Sequence, residues 1–181
     1  NAQLFHDVAF LNLDILFAID RAGLVGLDGA THQGAFDLSF LRCIPNMTIM
    51  SPSDEDMAWK MFNTGYDHRG PVAVRYPRGT GMGIAYIENG ETIEICKSKT
   101  ILHSDQNYVI ILSFGNLLGS AVEVGKKLNY RVVDMRFIKP IDEKLLQEIS
   151  GNYQLIVTLE DNVIAGGAGS AVNETLLALN S

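Results

Sequence analysis

The sequence predicts an α/β fold made of two units, each with a mostly parallel sheet. Three observations carry this. Apolar runs of strand length alternate with stretches at helical spacing, the order expected of parallel strands joined by crossover helices. A glycine-rich polar stretch from Gly79 to Gly90 interrupts that alternation and divides the chain in two. In the first half, an apolar run stops abruptly in a segment with four glycines, two aspartates, one arginine and one histidine. Open α/β sheets hold their ligands at such carboxyl ends of strands.

Composition narrows the function classes. With 47% apolar residues among 181, the chain has material for a packed core, and no charge run signals disorder. A formal charge of −7 argues against non-specific nucleic-acid binding, yet a local arginine cluster still suits an anionic substrate. Cys43 and Cys96 lack CxxC spacing and read as reduced, structural thiols of a cytoplasmic protein. No apolar run is long enough to cross a membrane, and no signal peptide is visible. Asn1-Ala2 reads as a tag remnant, and the whole as a piece excised from a longer protein.

In order, Leu4, Val8 and Leu11, with Phe5 and Ala9 beside them, have helical spacing. A buried strand follows over residues 14–19, then the segment IDRAGLVGLDGATHQG. Residues 33–42 stay open between a short helix and irregular chain. Ile44-Pro45-Asn46 is a turn, and residues 47–50 form a buried strand. Ser51-Pro52-Ser53-Asp54 starts a helix, with serine as cap, proline at the first position and acids at the positive end of the dipole. Met57, Met61, Phe62 and Trp59 supply its apolar face, a core stripe rather than a cofactor box. A strand over 72–76 then delivers Pro77-Arg78-Gly79, and residues 91–96 (ETIEIC) alternate as an edge strand would. The second half reads as strand 108–114, helix 117–128, strand 131–135, a rigid Lys139-Pro140 turn with an exposed cation, a helix to about Ile149 and strand 155–159. Residues 164–170 (IAGGAGS) open the final helix.

Four residues form the candidate site. Arg21 and Arg78 each follow a strand, and a guanidinium fork binds phosphate or carboxylate well. Either arginine alone is more often paired with a nearby acid, and Asp20 and Asp28 are at hand; two at strand ends of one sheet favour anion binding. Asp28 supplies an acceptor. His32, four residues on, suits proton transfer near neutral pH, although a lone histidine is more often structural. No HxxxH, HExxH or CxxC spacing marks a metal site. Gly166-Gly167-Ala168-Gly169-Ser170 stays open between a phosphate nest for a nucleotide, without a P-loop lysine, and close helix–strand packing, which explains its small residues equally well.

The stretches AIDRAGLVGLDGATHQG, FDLSFLRCIPNMTIMSPSDE, VAVRYPRG, VVDMRFIKPID and IAGGAGSAVNE closely resemble the transketolase-like, thiamine-diphosphate-dependent family. The resemblance runs from about Phe5 to Leu177; Ala30 stands where the family's DGPTHQ has proline. It implies a partial pyrimidine-binding domain over 3–80, a linker and edge strand over 81–105, and a transketolase C-terminal-like domain over 106–181. The family's diphosphate- and metal-binding domain is absent, as is the glutamate that contacts the cofactor ring. Thiamine diphosphate and Mg2+ are therefore expected in the full-length enzyme and not in this chain, which by itself is expected to be inactive. Through DRAGLVG with RYPRG the resemblance is most specific to those family members, transferases, that condense pyruvate with glyceraldehyde 3-phosphate, releasing CO2, to form 1-deoxy-D-xylulose 5-phosphate for isoprenoid and thiamine biosynthesis, and it implies that reaction here. By the same resemblance Arg21 and Arg78 bind substrate anions, His32 donates to substrate oxygens, Asp28 accepts from a hydroxyl or from the histidine network, and the protein is a homodimer. The β-subunit of a 2-oxoacid dehydrogenase shares the two-domain plan, but its lipoyl acceptor needs no phosphate clamp. A non-catalytic nucleotide-binding module is the remaining alternative.

Overall fold

The computed structural model describes residues 2–85 and 89–179. Asn1 of the expected tag remnant, residues 86–88 of the expected linker and the last two residues of the C-terminal unit lie outside the described residues. The chain forms two four-stranded sheets. The first runs in the order β1 (Leu16–Ile19), β3 (Val72–Arg75), β2 (Thr48–Met50) and β7 (Phe137–Lys139), with β1, β3 and β2 parallel and β7 antiparallel to β2. The second runs β4 (Lys99–Leu102), β6 (Arg131–Asp134), β5 (Val109–Ser113) and β8 (Leu155–Leu159), with only β4 antiparallel. Helices α1 (Asp37–Arg42), α2 (Glu55–Asp67), α3 (Leu118–Leu128), α4 (Glu143–Ile149) and α5 (Ala168–Leu179) connect and cover them. No helix among the described residues is long and apolar enough to cross a membrane.

Central strands explain their sequences. VAVR of β3 and VIILS of β5 are buried at every position, because each is paired on both edges and covered on both faces. β1 lies at an edge and is only half-buried, with Ala18 exposed, so the fully buried strand expected there is corrected. Residues 33–42, left open by the sequence, contain the short helix α1. Leu4–Ala9 winds as a π-helical turn in which only Ala9 is buried.

Four further expectations change. The cap of α2 is not Ser51 but Asp54, whose Oδ1 accepts from Met57 N at 2.9 Å; Ser51 is instead buried, its Oγ donating to the Arg75 carbonyl at 3.2 Å. The edge strand expected at 91–96 falls on β4, because Ile93 and Ile95 alternate in order to pack on Met50, Val74 and Phe137, not to join a ladder. A strand unmarked in the sequence, β7, leaves the second half and completes the first sheet. Arg136, at φ +61°, lies in the two-residue link between β6 and β7 where that transfer is made. Lys139 is not an exposed cation: it is half-buried, its Nζ donating to the carbonyls of Arg42 (3.0 Å), the last residue of α1, and Ile44 (2.5 Å) just beyond it, and burial, with Arg42 nearby, lowers its pKa.

One apolar core runs through both halves, joining Leu38, Leu41 and Ile49 to Leu112, Val133 and Leu146. Burying a side chain of this size contributes roughly 1.5–3 kcal/mol, so the halves stabilise each other.

Candidate active site

The carboxyl ends of β1 and β3 lie side by side, with Ile19 opposite Arg75. The ladder continues one step past both strands: Tyr76 N donates to the Ile19 carbonyl at 2.9 Å and Ala22 N to the Tyr76 carbonyl at 3.0 Å. Residues 23–34 then leave as a loop whose root is pinned by reciprocal bonds, Gly23 N to Gly34 O at 3.1 Å and Gly34 N to Gly23 O at 2.9 Å. Glycine is required at the root. A Cβ on Gly34 would sit 2.1 Å from the Arg21 carbonyl, and one on Gly23, at φ +75°, would meet the Asp161 carboxylate at 1.9 Å. Inside the loop, Gln33 braces the chain: Nε2 donates to the Gly29 carbonyl at 2.8 Å, and Oε1 accepts from Val25 N.

This frame brings three of the four expected residues together. Arg21 Nε donates to Asp28 Oδ2 at 2.8 Å, and Arg78 Nη1 donates to Asp28 Oδ1. One carboxylate thus bridges two guanidinium groups from the segments that follow β1 and β3. Hydrogen bonds from Arg78 first and Arg21 second hold the Asp28 carboxyl below the usual carboxylate range. Arg21 also reaches Asp20 Oδ2 at 2.5 Å. His32 stands apart from this cluster: it ends the next turn of the loop, exposed, its Nδ1 3.0 Å from Thr31 Oγ1. Beside Arg78 opens a cavity of about 780 Å3, lined in part by Trp59, Phe62, Tyr76, Met82 and Asn116. Trp59, expected only on the packed face of α2, contributes to that wall.

The second glycine segment resolves as a packing motif. Glu160, just past β8, accepts from Ala168 N (2.7 Å) and Gly169 N (2.8 Å), so a carboxylate of the chain itself caps α5. A Cβ on Gly167 would lie 2.5 Å from Glu160, and one on Gly169 2.6 Å from Thr158. The nest expected as one alternative for a nucleotide is therefore already filled. Cys43 and Cys96 are free thiols. Among the described residues, no group of three or more His, Cys, Asp or Glu is placed to hold a metal ion.

Sequence reasoning passed over Arg75. Its side chain is 2% exposed; Nε donates to Asp37 Oδ2 at 3.0 Å, and Nη2 to the carbonyls of Gly34 (2.6 Å) and Asp161 (2.5 Å). The available signal was a charged residue closing the apolar run VAVR, three residues before Arg78.

The chain belongs to the transketolase family: residues 1–82 match the family's pyrimidine binding domain and residues 98–180 its C-terminal domain. Membership implies dependence on thiamine diphosphate. Within that family, curated relatives of this chain include 1-deoxy-D-xylulose-5-phosphate synthases from Yersinia pseudotuberculosis serotype IB (57% identical), Vibrio campbellii (54%) and Vibrio cholerae serotype O1 (53%). Each match takes in 97% of this chain but only 28% of the relative, so the chain spans little more than a quarter of their length. A solved split-gene transketolase, described as an inactive β4 tetramer, superposes with a TM-score of 0.86 at 29% identity, over 98% of this chain and 58% of its own. A transketolase from Pichia stipitis, 22% identical with a TM-score of 0.56 over 71% of this chain and 20% of its own, shares the fold.

Proposed function

We propose that this chain is the substrate-side part of a 1-deoxy-D-xylulose-5-phosphate synthase, with a partial pyrimidine-binding domain over 3–80, a linker over 81–105 and a C-terminal domain from 106. The whole enzyme condenses pyruvate with glyceraldehyde 3-phosphate, releases CO2, and feeds isoprenoid and thiamine biosynthesis. One observation carries the reading: Arg21 and Arg78 converge on a single anion, the Asp28 carboxylate. Two forks aimed at one point suit a phosphate, which accepts bidentate bonds on several oxygens. The acceptor's phosphate displaces Asp28 there; Asp28 then accepts from a substrate hydroxyl, and His32 delivers a proton to the new alkoxide.

Thiamine diphosphate, when bound, supplies the nucleophilic carbon that joins the aldehyde. From the resemblance, both it and its Mg2+ are assigned to the remainder of the longer enzyme, and no step is drawn through them. The chain alone then releases no CO2 from pyruvate; measurable turnover by the purified chain would overturn that assignment. We infer a cytoplasmic homodimer, supported by the free thiols and by Leu24, Phe36 and Ile164, large apolar side chains left exposed around the loop.

Trp59 is the sole tryptophan and lines the cavity beside Arg78, so its fluorescence reports ligand entry. Glyceraldehyde 3-phosphate should saturate this signal, and Arg78→Ala should weaken binding at least ~10-fold. Equal affinity of the two chains would remove Arg78 from the phosphate site.

A further inference from the structure

The geometry points to Arg75 as the positioning residue of this site: a buried guanidinium that sets the spacing of Arg21 and Arg78 and ties the substrate loop to the C-terminal half. The inference rests on the reading that those two arginines take a phosphate.

Arg75 ends β3, and the same strand end carries Arg78 three residues later. Its Nη2 holds the Gly34 carbonyl, and Gly34 is half of the glycine pair that closes the loop carrying Asp28 and His32. Arg21 lies against that same root, since its carbonyl leaves no room for a side chain on Gly34. One side chain therefore fixes both banks of the phosphate position. A residue that only neutralised buried Asp37 would need one bond, yet two of the three go to main-chain carbonyls. The second carbonyl belongs to Asp161, in the C-terminal half beyond β8, and the Asp161 carboxylate packs directly on Gly23 at the other side of the root. Thus the C-terminal half reaches the loop root by two routes, directly at Gly23 and through Arg75, although it supplies none of the four candidate site residues. Only a planar fork with several donors reaches three acceptors on three segments; an ammonium at the end of a flexible stem does not reproduce that geometry.

The test uses the whole chain with Arg75→Lys, which keeps the charge, and with Arg75→Met paired with Asp37→Leu, which leaves no buried charge. Urea unfolding first establishes that each variant folds. Trp59 fluorescence then measures glyceraldehyde 3-phosphate and inorganic phosphate binding, and NMR hydrogen exchange measures the Gly23 and Gly34 amides. In whichever variant folds, phosphate-ligand affinity should fall about tenfold or more, as expected when partners shift by a fraction of an ångström. The Gly23 and Gly34 amides should exchange faster by a similar factor, while the amides of Val109–Ser113 keep their protection. A folded variant with unchanged affinity and unchanged Gly23 and Gly34 exchange would overturn the inference. So would the unfolding of both variants, which makes Arg75 a folding residue. If the unmodified chain binds neither ligand, the phosphate reading fails by itself, and the exchange rates still decide whether Arg75 holds the loop.

Discussion

Replacing Asp134 by asparagine should stabilise the chain at neutral pH and do nothing in acid. Asp134 ends β6 with its side chain 2% exposed. Its Oδ1 accepts from Arg136 N at 3.2 Å, and the Arg136 guanidinium stays 3.7 Å from Oδ2, too far for a hydrogen bond. Burial, only partly offset by Arg136, pushes the Asp134 carboxyl from 3.8 up to about 6. At 1.36 kcal/mol per pH unit, that penalises the charged form by ~3 kcal/mol in the folded chain. The sign follows from proton uptake. The folded chain binds this proton more tightly than the unfolded one, so the penalty is complete above about pH 6, shrinks as pH falls, and is gone below 3.8. Asparagine keeps the acceptor for Arg136 N and carries no charge. In urea unfolding followed by circular dichroism, Asp134→Asn should exceed the unmodified chain by roughly 2–3 kcal/mol at pH 7.5, and the gap should shrink to about 0.5 kcal/mol at pH 4. In thermal melts each kcal/mol appears as roughly 2–4 °C for a chain of this length. A gap of equal size at both pH values, or a variant less stable at pH 7.5, would refute the reasoning. The outcome bears on the candidate site, because Arg136 O receives Ser51 N at 2.9 Å and Ser51 Oγ in turn holds the Arg75 carbonyl.

Glu160→Gln removes the charge from the α5 cap and should cost roughly 1–3 kcal/mol in urea unfolding; an unchanged midpoint would mean that the two amides find water at no loss. A chain cut after residue 82 keeps the first family match whole but loses β7, so β2 acquires a free edge and Met50 and Val74 lose the Phe137 side of their cluster. That piece should show poorly dispersed NMR spectra, whereas a well-dispersed spectrum would mean that the first sheet is self-sufficient.

The alternation of strands and helices was legible because buried parallel strands such as VIILS and VAVR leave continuous apolar runs between periodic helices. The strand β7 was not, since three residues carry too little periodicity and its partner β2 lies nearly ninety positions earlier. ETIEIC misled for a related reason: alternation records which side chains face a surface, and Ile93 and Ile95 face one without any ladder. The roles of Lys139 and Glu160 were hidden because both bond main-chain atoms, which have no signature in sequence. At the candidate site, the residue types and their positions at strand ends were visible. The bridge through Asp28 was not, because it joins residues fifty positions apart.

That bridge also removes an opposition on which the sequence reading turned. Pairing with an acid and binding an anion were rival accounts of Arg21 and Arg78, yet both arginines pair with the same acid. Two like charges held toward one point require an anion between them, and Asp28 is that anion when the loop is closed on itself. A carboxylate offers one negative charge, whereas a phosphate monoester near neutral pH carries about two and has three oxygens for two forks. On the proposed reading the phosphate is the better occupant, and its arrival frees the Asp28 carboxylate on the loop that also carries His32. The four positions then form one device, in which binding the acceptor's distant phosphate releases the acceptor group that serves its reacting end.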